Sequence, residues 1–170
     1  MNKRLRETLA LTLTFAVTFI SFFGPVPAQA QATLNRTAVV ALANQDRATQ
    51  GAGRLTEDPL LDKAAQAKAN DMAAKGYFSH LDPAGNAPWA WFKKVGYYYW
   101  GAGENLAINF SDANSLNAAW MQSPAHRANI MQGSYSRVGL GVAHGVYRGK
   151  PATFIVEFFA DPYLGKLALR

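Results

Sequence analysis

Two histidines and one glutamate, His80, His126 and Glu104, are the side chains of this chain best suited to chemistry. His80 and His126 stand in turn-rich segments, where side chains are often presented to ligands. Glu104 lies between Gly103 and Asn105 behind an aromatic run, in a stretch where acids are scarce. A carboxylate screened from water needs a partner or takes up a proton. Arg127, His80 and His126 are candidate partners, and sequence spacing does not choose among them. Two neutral imidazoles and one carboxylate with an open position are what a catalytic-type zinc site offers. Without metal, the same groups make a hydrogen-bonded cluster that pins loops to a sheet. No metal-ligand spacing favours the first of these readings. His144, at a strand end beside a hairpin, reads as an ordinary polar residue.

Ser79 and Ser123 each lie near a histidine in sequence, which raises a hydrolase reading. Neither sits in a G-x-S-x-G elbow, and no acid is placed to orient the histidine. Serine before proline, as in Ser123-Pro124, is also simply a turn signal. The run Tyr97-Tyr98-Tyr99-Trp100 has two readings. Alternation would bury two of the rings, and the others would form an exposed patch suited to glycan or lipid contact.

The elements that must position these groups follow from periodicity. Apolar residues from about Leu34 to Ala48 recur at near-helical spacing, and Gly51 and Gly53 end the run. Asp58-Pro59 opens a second, alanine-rich helix that Gly76 stops. A short helix over Pro88–Val95 turns Trp89 and Phe92 inward, and Gly96 to Gly103 reads as an aromatic loop leading into Glu104. Ser111 caps a helix through Trp120 and Met121, and Ser123-Pro124 opens a tight turn into His126. After Gly133 the period changes to two, and Val138 to Ala143 with Phe154 to Phe159 forms an antiparallel hairpin around Tyr147–Pro151. Helices first and strands last predict one α+β domain.

Composition narrows the field further. The 170 residues are 49% hydrophobic and 16% charged, enough for a packed core and unlike a disordered chain. No cysteine is present, which removes disulfides, thiolate zinc sites and cysteine nucleophiles. The net charge of +6 lacks the clustered cations beside aromatics that a specific nucleic-acid partner needs. Lys3, Arg4 and Arg6 precede an apolar run from Leu9 to Phe23, then Ala28-Gln29-Ala30, the order of a secretory signal. The run is too short to span a bilayer. Residues 1–30 are therefore expected to leave, and the mature chain 31–170, at +4 after losing three cations and one acid, to work secreted or in the periplasm with no transmembrane segment. Asn35-Arg36-Thr37 and Asn109-Phe110-Ser111 match the glycosylation pattern by chance in what reads as a bacterial chain.

Four strings together carry a family resemblance: Phe78-Ser79-His80, GENLA from Gly103 to Ala107, SPAHRANI from Ser123 to Ile130, and RVGLGVA from Arg137 to Ala143. In this order they resemble the CAP superfamily of cysteine-rich secretory, antigen 5 and pathogenesis-related type 1 proteins, in a cysteine-free bacterial form. The resemblance covers roughly Leu34 to Asp161. It implies an α-β-α sandwich, a small antiparallel sheet flanked by helices, with a cleft lined by two histidines and two acids. The family's histidines fall on His80 and His126 and its first glutamate on Glu104. Its second acid falls near Ser123, which is no carboxylate, so a triad is expected, with Ser123 and Asn105 on the cleft wall. The resulting expectation is a non-enzymatic binding module for a small molecule, lipid, glycan or other cell-envelope component. The alternative is a zinc-assisted hydrolase of peptide or cell-wall material, with His80, Glu104 and His126 as ligands.

Overall fold

Helix ends fall where side chains can satisfy the exposed backbone. Asn35 Oδ1 accepts from Ala38 N–H at 2.9 Å and starts α1 (Arg36–Ala48), so the first of the two Asn-x-Thr/Ser triplets serves as a cap. After the two-residue β1 (Thr56–Glu57), Asp58 accepts from Leu60 N–H and Leu61 N–H to start α2 (Pro59–Lys75). Gly76 closes that helix in the left-handed region at φ 66°. The chain continues through α3 (Trp89–Lys94), β2 (Tyr99–Ile108), α4 (Ala113–Gln122), α5 (Pro124–Met131), β3 (Arg137–Tyr147) and β4 (Lys150–Pro162). The computed structural model describes residues 34–163, so the expected signal segment, residues 1–30, lies outside the described residues.

The four strands run in the order β1-β3-β4-β2. The β3–β4 hairpin is antiparallel with Val138 opposite Phe159 and Tyr147 opposite Lys150, and it turns through Arg148-Gly149, both at positive φ. β2 runs antiparallel to β4, whereas β1 adds one short parallel pairing to β3, so the sheet is mixed at that edge. One face packs Leu106, Phe154, Val156 and Phe158 against α2 and α3. The other packs Ala107, Leu140, Ile155 and Phe159 against α1, α4 and α5. This is the α-β-α sandwich, and no helix among the described residues is long and apolar enough to cross a membrane.

The alanines of α2 explain its closeness to the sheet. Ala64, Ala65 and Ala69 are fully buried, and a Cβ placed on Gly141 of β3 would lie 2.3 Å from the Ala65 carbonyl carbon. Helix backbone therefore rests directly on strand backbone. Polar groups of α2 also meet the outer edge of β3 beyond β1: Asp62 Oδ1 accepts from Leu140 N–H at 3.0 Å, and Gln66 accepts from Val142 N–H and donates to Val142 C=O. At the opposite edge, Trp120 Nε1 donates to Leu106 C=O and Asn129 Nδ2 to Glu104 C=O.

Several expectations are corrected. The aromatic loop before Glu104 is already strand from Tyr99, because Gly103 serves close packing against Tyr135 rather than a turn. Asp112, not Ser111, caps α4 through Ser115 N–H. The turn after Ser123 is a helix, α5, with Pro124 in its first turn. In α3 the inward pair is Trp91 and Phe92, while Trp89 is half-buried against Phe92 and Tyr99.

Candidate functional site

Glu104 points from β2 toward α2, where both of its carboxylate oxygens are held. Lys68 Nζ, on α2, lies 2.7 Å from Glu104 Oε2, with both side chains buried. His80 Nδ1 donates to Glu104 Oε1, while the His80 side chain as a whole is 58% exposed. The same Lys68 ammonium donates to the His80 carbonyl at 2.6 Å. One buried cation therefore fixes the carboxylate and the backbone of the histidine loop together. Asp82 stiffens that loop by accepting from Ala84 N–H and Asn86 N–H. Burial pushes the Glu104 carboxyl up and the Lys68 ammonium down, and the attraction between them draws each back toward its charged form.

The opposite side of the strand connects to α5 through amides. Asn105 Nδ2 donates to the His126 carbonyl and to Glu157 Oε2, each at 3.3 Å. Asn129 Nδ2 donates to Asn105 Oδ1 and to Glu104 C=O, each at 2.9 Å. His126 is thus placed by its backbone, and its half-buried ring makes no hydrogen bond to a described residue. Burial, and then the nearby charge of His80, lower the His126 pKa, so its ring is neutral near pH 7. Histidine–glutamate pairing thus joins His80 to Glu104, and an amide bridge brings the His126 backbone beside them.

The other expected residues have plainer roles. Ser123 ends α4 and begins α5, its carbonyl accepting from Arg127 N–H at 2.8 Å; its hydroxyl meets neither histidine. Ser79 is exposed. Arg127 is exposed and is not the partner of Glu104; Lys68 takes that place. His144 is exposed and pairs with Thr153 Oγ1 at 3.0 Å. Four buried ionisable groups escaped the sequence reading, Arg47, Lys68, Asp112 and Glu157. The signal for Glu157 was its place between Ile155 and Phe159, a charge on the apolar face of a strand. Lys68 carried a weaker one, four residues from Ala64 on the alanine stripe.

This donor set does not fit a divalent cation. The ammonium of Lys68 already stands against Glu104 Oε2, and the His80 ring nitrogen facing the carboxylate is used in the hydrogen bond. Among the described residues no group of three or more His, Cys, Asp or Glu is arranged to hold a metal ion. The zinc reading of His80, Glu104 and His126 finds no support in the arrangement of the described residues.

Comparison with known proteins points the same way as the fold. The profile of the cysteine-rich secretory protein family, CAP, matches residues 40–158. The YkwD protein of Bacillus subtilis is 39% identical over 103 residues, covering 61% of this chain and 40% of YkwD. An extracellular protein of Bacillus anthracis containing an SCP domain superposes with a TM-score of 0.61 at 27% identity, over 73% of this chain and 39% of that one. An outer surface protein of Borrelia burgdorferi shares the fold, with a TM-score of 0.64 at 17% identity over 78% of this chain and 99% of its own. The chain thus spans less than half the length of the two Bacillus proteins.

Proposed function

Because the chain belongs to the cysteine-rich secretory protein (CAP) family, we propose that it is a non-catalytic binding module working outside the cytoplasm, and that the cleft marked by His80, Glu104 and His126 receives a small-molecule or cell-envelope ligand. The observation that carries this reading is the full engagement of Glu104. A general base or metal ligand needs a carboxylate lone pair open to the substrate, and here the carboxylate is 2% exposed, with one oxygen facing Lys68 and the other His80. What remains available to a ligand is the exposed edge of His80 and the neutral ring of His126. The histidine side-chain hydrogen bonds go to Glu104 and Thr153 and not to Ser79 or Ser123, so nothing favours a serine nucleophile.

Glu104→Gln separates the two readings. As a structural hub, Glu104 loses charge-assisted bonds on becoming an amide and leaves a buried ammonium with one acceptor fewer, a cost of about 2–3 kcal/mol. Thermal melts are expected to show that loss, with peptide and peptidoglycan turnover absent in both proteins. Calorimetry with zinc is expected to show only the heat of dilution. An unchanged melt with turnover lost, or one-to-one zinc binding abolished by His126→Ala, would make the protein a metal-assisted hydrolase.

A further inference from the structure

The aromatic run that begins β2 divides as alternation allows. Tyr97 is buried and Tyr99 packs against Phe92, whereas Tyr98 is 57% and Trp100 73% exposed. The exposure of Trp100 is built into the strand. Tyr99 pairs with Pro162 and Gly101 with Asp161, so Trp100 is the extra residue of a β-bulge. Bulges re-aim side chains, and this one turns the largest ring of the strand outward. Tyr163 braces it edge-on, with centroids 4.8 Å apart. Tyr98, whose carbonyl accepts from Tyr163 N–H at 3.0 Å, joins Trp89, Lys93, Gly96, Tyr97 and Tyr99 in lining a groove of about 440 Å³. That lining contains one cation, Lys93, and no acid.

We propose that this surface is a second binding site, for a polysaccharide of pyranose rings bearing an anionic substituent. The axial C–H face of a pyranose is apolar and lies flat on an indole, while its hydroxyls point to the rim, where the tyrosines are. The edge-on brace holds the indole before the sugar arrives, which lowers the ordering cost of binding. Lys93 supplies the positive charge that selects a carboxylate-bearing sugar over a neutral one. The concavity of the groove and its aromatic lining fit a sugar chain better than a bilayer, which would also call for aliphatic side chains at the patch. This site shares no residue with the His80–Glu104 pair.

The test uses three probes on the mature protein: soluble peptidoglycan fragments carrying muramic-acid carboxylates, neutral chito-oligosaccharides, and vesicles of anionic phospholipid. Tryptophan fluorescence and calorimetry are expected to show binding of both sugars, tighter for the peptidoglycan fragments. Trp100→Ala is expected to weaken both by about tenfold or more. Lys93→Gln is expected to remove the preference for the anionic sugar while leaving chito-oligosaccharide binding unchanged. His80→Ala is expected to leave both affinities unchanged, so that failure of the cleft reading stays distinguishable. Should Trp100→Ala not fold, Trp100→Phe and Lys93→Gln carry the same test. Absence of sugar binding, sugar binding indifferent to Trp100, or binding to vesicles alone would overturn the proposal.

Discussion

Arg47→Met is expected to destabilise the fold by about 3–5 kcal/mol, a large share of the roughly 5–15 kcal/mol that holds a domain together. Arg47 ends α1 completely buried. Its guanidinium donates to four backbone carbonyls: Gly53 at 2.7 Å, Ile130 at 2.7 Å, Gln132 at 2.9 Å and Tyr135 at 2.9 Å. The last three belong to the end of α5 and the loop after it, which places this one side chain between the helix layer and the entry to β3. Methionine fills similar space and donates nothing, so four buried carbonyls lose their partner. A thermal melt should fall by on the order of 10 °C. A fall of only one or two degrees would mean that water or a shifted loop satisfies those carbonyls and that Arg47 contributes little.

The second large effect depends on pH. Glu157 on β4 is fully buried, and burial pushes its carboxyl up to about 8. Asn105 donates to Oε2 at 3.3 Å, and Oε1 has no partner among the described residues. The folded protein therefore keeps a proton that the unfolded chain releases near its ordinary value of 4.5. Below that value both states are protonated and the contribution to stability is fully present. As pH rises from about 4.5 to about 8, only the folded state still binds the proton, and stability falls by up to about 1.4 kcal/mol per pH unit. Glu157→Gln removes the titration while keeping shape. Denaturant melts at pH 5, 6.5 and 8 are expected to converge for the two proteins at the acid end. Toward pH 8 the variant gains a lead of several kcal/mol. Parallel curves across that range would show that Glu157 is ionised in the fold.

What could be read from the chain was whatever is decided locally. Asp58-Pro59 and Gly76 bracket α2 because a cap and a left-handed stop act within a few residues. The hairpin was legible because alternation and a two-residue turn are also local. The meeting of His80 with Glu104 was legible only through motif order, because β2 lies beside the loop after α2, a fact of topology. Lys68 stayed hidden for the same reason. A lysine on a helix normally faces water, and nothing near it in sequence says that a carboxylate 36 positions later will lie 2.7 Å away. Arg47 is alike, its partners lying as far off as Tyr135. The start of β2 was misread because Gly103 looks like a turn residue. Its real constraint is spatial, since an added Cβ there would come within 2.9 Å of the Tyr135 ring.

The side chains that meet β2 and the stretch of β3 beyond β1 also bear on how this protein behaves in company. An open sheet offers its unpaired rims as a template, and a second copy can extend it strand by strand toward fibrils or swapped dimers. Here one rim is occupied by Asp62 and Gln66 and the other by Asn129 and Trp120, each on a backbone group that an incoming strand would need. A strand could dock there only by prying off these helix-borne side chains, of which Asp62, Gln66 and Asn129 are half-buried and Trp120, at 2% exposure, lies in the core. Concentrated solutions of the folded protein should accordingly stay free of cross-β aggregates, because the growth of a sheet is blocked at both of its ends by the molecule's own helices.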